Sequence, residues 1–196
     1  MSRYKLFDIQ SNTLNAKKGK VLVAEPFFND IFFGRSVILL ADHDDKAGSF
    51  GVIMNKKLGV TLEEAAPEFT NCDFPLYLGG PVLTKNIFFI HSLGMLIPES
   101  TQICDGLYWG GDPDFVKKMV TENRISRNEI RFFLGYSGWD KMQLRSELRR
   151  NSWIVVNADS IALLHSNPMK MWDFFVRKAG ERYNIWTRYP DDPHKN

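Results

Sequence analysis

The apolar residues of this chain come in short unbroken runs, and that feature narrows the fold more than any other. Residues 37–41 and 87–90 are typical of the longest. Each has the length of a strand and falls far short of the ~20 residues that a membrane-spanning helix needs. The run before residue 42 has no polar alternation, as expected of a strand covered on both faces.

Further strands are expected over residues 20–24, ending at Pro26, and over 50–55, 75–78, 130–134 and 153–156. The polar stretch 42–48 would turn 36–41 back onto 50–55 as a hairpin. Helices carry their own start signals. Thr61 with Glu64 makes a capping box that Pro67 soon interrupts. Asp112-Pro113 opens a helix with Phe115, Val116, Met119 and Val120 on one face. Residues 140–150 read as a third helix, and Asn167-Pro168 opens a fourth through Met171, Trp172, Phe175 and Val176, stopped at Gly180. A weak amphipathic pattern (Leu6, Phe7, Ile9, Leu14) lies in the first 19 residues. These elements do not alternate as βαβ units, and an early run of strands precedes the helices. The expected class is α+β with a mixed sheet, built from roughly eight strands and four helices.

A chain of 196 residues, 44% apolar and 24% charged, has the composition of one globular domain and enough core to need no disulfide or metal staple. The expected division is a polar lead-in over 1–18, a single domain over 19–188 and a loose tail over 189–196. The N-terminus carries charges and no apolar segment of the secretory kind. Cys72 and Cys104 fit no metal-binding spacing and read as reduced, buried thiols of a cytoplasmic protein. The net charge is only +2 but is unevenly spread. Residues 25–114 hold 13 acids and five bases, whereas 117–150 hold nine bases and four acids. A basic helical region of that kind is either a solvated face or a footprint for an acidic partner.

Several segments invite a chemical reading. Gly135-Tyr136-Ser137-Gly138-Trp139 follows an expected strand and precedes an expected helix, as a nucleophile elbow does. Trp139 stands where the elbow needs glycine, so the segment reads better as a turn whose Tyr136 and Trp139 pack or line a groove. Asp42-His43-Asp44-Asp45 gathers polar ligands, but Ala47 replaces the glycine of a calcium loop, and a solvated hairpin turn accounts for it. Gly79-Gly80-Pro81 lacks the lysine and hydroxyl of a phosphate loop and suits a tight backbone crossing. His91 and His165 end apolar segments, where packing with a hydrogen bond is the ordinary role. Arg145 and Arg149, one helical turn apart with Arg150 beside them, suit phosphates or simply an exposed helix edge.

Taken in order, these segments resemble a bacterial family, YqgE/AlgH. The resemblance rests on Phe33-Gly34-Arg35-Ser36, His43, Gly48 to Gly51, Asn55, Gly79-Gly80-Pro81-Val82, His91, Asp105-Gly106-Leu107, Phe133 to Tyr136, Gly138-Trp139, Glu147-Leu148 and Trp153. It covers about residues 19–176. It implies a single compact domain with a mixed, barrel-like β-sheet flanked by helices. Some members carry a transcriptional-regulator label, and the resemblance implies no activity, cofactor or ligand. Relatives commonly carry alanine at the position of Ser137, which argues against a catalytic serine there.

The expected function is therefore a non-enzymatic binding or regulatory domain with no cofactor and no metal. Its candidate groove comprises Arg35, Ser36, Asn55, Gly79, Gly80, Pro81, Asp105, Tyr136 and Trp139. A protein or small-molecule partner is expected, and a dimer is compatible with the aromatic content. The alternatives are nucleic-acid binding through Lys141, Arg145, Arg149 and Arg150, and a serine hydrolase using Ser137.

Overall fold

Residues 130–139 form one long strand where the sequence suggests a strand followed by a turn, and the rest of the fold is arranged about it. A computed structural model describes residues 14–28, 30–70 and 72–190. The amphipathic pattern at Leu6, Phe7 and Ile9 lies outside these residues, as does the tail beyond 190. In chain order the described elements are β1 (Lys20–Ala24), β2 (Val37–Asp44), β3 (Gly48–Ile53), β4 (Lys57–Thr61), α1 (Leu62–Ala65), β5 (Pro75–Leu78), β6 (Val82–His91), β7 (Thr101–Cys104) and β8 (Leu107–Trp109). They continue with α2 (Pro113–Thr121), β9 (Ile130–Trp139), α3 (Gln143–Arg149), β10 (Trp153–Asn157), α4 (Ser160–His165) and α5 (Pro168–Ala179). Short 3-10 segments occupy Gly94–Leu96 and Glu181–Arg188.

The strands run in the order β10-β1-β2-β3-β9-β6-β8-β7, with every neighbouring pair antiparallel. β4 pairs with β5, and β5 runs parallel to β9, the one parallel pair among the described strands. β9 is long enough to hold β5 along its first half and β3 along its second half on the same edge. The sheet curls into a half-barrel, and the fold is α+β in a single domain.

Alternation along the strands sorts the core into layers. Val21 and Val23 of β1 face inward with Leu39, Val52, Tyr77, Ile90 and Phe133. That inner layer is covered by Leu163 of α4, by Trp172, Phe175 and Val176 of α5, and by Tyr183 and Trp186 after it. Leu22 and Ala24 face the other way, into an outer layer closed by Leu144 of α3 with Trp139 and Trp153. Phe132, Leu76 and Phe89 form a second outer layer under α1 and α2. The helices start as their sequences direct. Thr61 and Glu64 form the capping box, and Asp112, Asp159 and Asn167 each accept a backbone N–H at a helix start.

Gly135 sets the phase of β9. Its φ of +69° puts it in the left-handed region, and its position marks a bulge. Before it, Arg131, stacked on Tyr77, and Phe133 face the inner layer; after it, Tyr136 does, three residues from Phe133 rather than two. The β6 ladder slips at the same place. Val82 pairs with Tyr136 but Ile87 pairs with Leu134, so residues 83–86 bulge out at the rim.

Four expectations are corrected. The segment 135–139 is strand, because Ser137, Gly138 and Trp139 pair with β3. The hairpin turn is shorter than 42–48, since β2 reaches Asp44 and β3 starts at Gly48. The helix expected over 140–150 begins only at Gln143, after Met142 in the left-handed region. Ten strands and five α-helices are described rather than eight and four. The additions include β4, whose residues are mostly exposed, and the short β7–β8 hairpin.

Candidate functional site

On the inner face, at the margin of the layer that α4 and α5 cover, four aromatic rings close a circuit. Phe50 of β3 meets Trp109 of β8 at 5.3 Å between centroids, and Trp109 stacks on Phe88 of β6 at 5.6 Å. Phe88 meets Tyr136 of β9 edge to face at 5.6 Å, and Tyr136 returns to Phe50 at 6.0 Å. All four are half-buried rather than sealed in the core. They line a concavity of about 740 Å³ together with Asp42, Val82, Gly138, Asp140 and Gln143. Each ring is delivered by a different strand, so the concavity exists only once the half-barrel is closed.

Its floor is made by the absence of a side chain. Gly138 lies opposite Phe50 in the ladder, and a Cβ there would stand 3.3 Å from the Tyr136 ring and 3.6 Å from Val82. Asp42 lies opposite Phe50 on its other side, which puts a carboxylate beside the first ring. Its Oδ1 accepts the His43 backbone N–H at 2.9 Å. The hairpin that carries Asp42 and Phe50 is fixed by Asp44, whose Oδ1 accepts the N–H groups of Lys46 and Ala47. Those bonds, that of Ala47 first, hold the Asp44 carboxyl below its ordinary range.

The nine residues of the expected groove fall in four places. Arg35, Ser36 and Asn55 gather at the entry to β2. Asn55 Nδ2 donates to the Arg35 carbonyl while its Oδ1 accepts the Val37 N–H, a clamp on residues 35–37. The Arg35 guanidinium lies 4.6 Å from the Trp172 ring and donates to the carbonyls of Tyr189 and Pro190. Gly79 and Gly80 mark a backbone crossing against β9, and Pro81 is exposed beside it. Asp105 sits exposed in the β7–β8 turn. Tyr136 and Trp139 line the aromatic concavity. The indole of Trp139 itself packs in the outer layer, where its Nε1 donates to Glu147 Oε2 at 2.9 Å.

Ser137 is fully buried, and its hydroxyl donates to the Gly79 carbonyl at 2.9 Å. It helps to tie the crossing and offers no nucleophile to solvent. Lys141 precedes α3, and Arg145 and Arg149 are exposed on it. The two arginines line a second concavity of about 600 Å³ with His43, Asp45 and Trp153. His43 Nδ1 is 2.7 Å from Ser49 Oγ across the hairpin, and its Nε2 is 3.8 Å from Asp45. His91 is buried between Leu93, which donates to Nδ1, and the Gly110 carbonyl and Ser100 hydroxyl at Nε2. Burial pushes its pKa down. Cys72 and Cys104 are free, and burial pushes both thiols up, with Asp105 adding to the effect at Cys104. Among the described residues no three acidic, histidine or cysteine side chains converge as a metal site. No described helix is long and apolar enough to cross a membrane.

Sequence reasoning missed Phe50, Phe88 and Trp109 as partners of Tyr136. Phe88 and Phe50 lie within segments expected to be strands, so their facing residues could have been paired. Trp109 carries no such signal, because β8 is only three residues long and its partner β7 is half polar.

Comparison with known proteins places this architecture. The AlgH-like family profile matches residues 21–184. A UPF0301 protein of Bacteroides fragilis is 41% identical over 192 residues, 97% of each chain. One of Parabacteroides distasonis is 40% identical over the full length of both. Among solved structures, a Corynebacterium diphtheriae protein superposes with a TM-score of 0.74 at 23% identity, covering 96% of this chain and all of the other. The solution structure of the AlgH protein from Pseudomonas aeruginosa gives a TM-score of 0.70 at 24% identity, covering 88% and 94%.

Proposed function

This chain belongs to the AlgH-like family, and from that footing we propose that it is a non-enzymatic binding domain of regulatory role whose aromatic concavity receives the partner. The observation that carries the reading is the circuit of Phe50, Trp109, Phe88 and Tyr136 around a side-chain-free floor. Four large rings left half-open cost the fold buried area that a closed core would have gained. Concave, mostly apolar surface with a few polar groups at its rim is what ligand recognition uses. Nucleophilic chemistry at Ser137 is disfavoured by its burial and its bond to Gly79. The free cysteines agree with a cytoplasmic setting.

Titration of labelled protein with small aromatic fragments such as indole, followed by amide NMR, tests the reading. Shifts should cluster at residues 48–50, 88, 109 and 136–138 and vanish in Trp109→Leu. Phe88→Leu serves if the first variant fails to fold. Fragments that shift only residues elsewhere, or none at all, would overturn it.

A further inference from the structure

We propose that the concavity holds the guanidinium of an arginine side chain presented by a partner's exposed peptide segment. This deepens, and rests on, the reading of the concavity as the binding site.

The rings supply the first half of the recognition. A guanidinium is attracted to an aromatic face within about 6 Å of the centroid, and it stacks on rings as a compact ammonium does not. The described residues already use this arrangement three times, Arg182 lying 5.0 Å from the neighbouring Tyr183 ring and the other two joining distant segments. Arg131 lies 4.4 Å from the Tyr77 ring, and Arg35 lies 4.6 Å from the Trp172 ring. At the concavity the rings are assembled with no arginine among the described residues that line it.

Charge supplies the second half. Among the described residues, the charged side chains that line the concavity are Asp42 and Asp140, both exposed carboxylates. Neither forms an ion pair among the described residues. Asp42 has one oxygen on the His43 N–H, which leaves the other for a donor from outside. A guanidinium carries five donors in a planar fork suited to carboxylates, so it can stack on a ring and pair at its edge at once. A quaternary ammonium has no donor to give those carboxylates. A volume of about 740 Å³ exceeds one side chain and leaves room for the flanking peptide.

Calorimetric titration with the blocked peptide acetyl-Gly-Ala-Arg-Ala-Gly-amide tests this. Its counterparts carry citrulline, lysine or leucine in place of arginine. The arginine peptide should bind saturably, at least about tenfold tighter than the citrulline and lysine peptides, and weaken as salt is raised. Asp42→Asn with Asp140→Asn should remove most of that preference, with an unchanged unfolding midpoint showing that the fold is intact. Equal binding of the arginine, citrulline and leucine peptides would overturn the cation assignment while leaving the concavity as the binding site. Equal binding of the lysine peptide would overturn the guanidinium. No heat from any peptide overturns the inference, and the fragment titration above then decides the underlying reading separately.

Discussion

Tyr136 and Phe88 meet edge to face across the β6–β9 ladder, with ring centroids 5.6 Å apart and planes at 86°. The two are not register partners. Tyr136 pairs with Val82, and Phe88 pairs with Phe133. They reach one another because the bulge at Gly135 returns Tyr136 to the inner face of the sheet. The concavity thus depends on a glycine that contributes nothing to its lining.

That dependence gives the first prediction. A Cβ at Gly135 would stand 2.6 Å from the Gly80 carbonyl oxygen and 2.7 Å from that of Val82, in a left-handed conformation that alanine adopts only at a cost. Gly135→Ala should lose at least about 2 kcal/mol in urea unfolding. It should also disturb the Tyr136 ring resonances. A variant as stable as the parent would show that the bulge is not needed.

Gly138 separates space from stability. Its backbone is not left-handed, and an added methyl meets only the Tyr136 ring edge and Val82. Gly138→Ala should cost less than about 1.5 kcal/mol. It should nevertheless weaken ligand binding several-fold by raising the floor. Unaltered binding by Gly138→Ala would place the ligand elsewhere.

Glu147 ties α3 to the outer layer. Its Oε2 accepts both indole N–H groups, from Trp139 at 2.9 Å and from Trp153 at 2.7 Å, while its Oε1 accepts from Gln143. Both indoles are nearly fully buried. Glu147→Ala leaves two buried donors unpaired and should cost about 2–4 kcal/mol, whereas Glu147→Gln, which keeps an acceptor, should cost distinctly less. Equal losses for the two variants would contradict the shared-acceptor arrangement.

His91 makes stability depend on pH. Burial holds its pKa below the ordinary 6.5, so the folded chain keeps it neutral. The unfolded chain takes up the proton near pH 6.5 and the folded chain only at lower pH. Stability from this group is therefore complete above that range and falls as pH drops through it. His91→Gln should flatten the stability profile between pH 7 and pH 5 relative to the parent. An unchanged slope would assign the pH dependence to other groups.

Much of the fold is legible in the sequence, for identifiable reasons. β1, β2, β5 and β10 announce themselves because they are apolar and buried along most of their length, whether inside the sheet or, like β10, at its edge under the helices. Thr61, Asp112 and Asn167 announce their helices through capping chemistry. β4 and β7 do not, since β4 carries mostly exposed residues and β7 is buried only at Ile103 and partly at Cys104. Gly135 misleads, because a left-handed glycine reads as a turn when nothing in the sequence shows that β3 will pair beyond it. The site is legible only in part. Gly79, Gly80 and Ser137 stand out as glycine-rich motif residues, yet they build the crossing. Tyr136 lies within such a motif and does line the concavity. Its partners Phe50, Phe88 and Trp109 come from three separate strands, and only the closed sheet brings them together.

The most direct measurement is fluorine NMR on protein labelled with 5-fluorotryptophan, titrated with the acetyl-Gly-Ala-Arg-Ala-Gly-amide peptide. The chain has five tryptophans. Trp109 alone belongs to the aromatic circuit, whereas Trp153 faces the arginines of α3 and Trp172 and Trp186 lie in the core. The Trp109 resonance should shift saturably while those of Trp153, Trp172 and Trp186 stay fixed. A shift at Trp153 alone, or no shift at Trp109 at saturating peptide, would contradict the assignment of this concavity as the binding site for arginine.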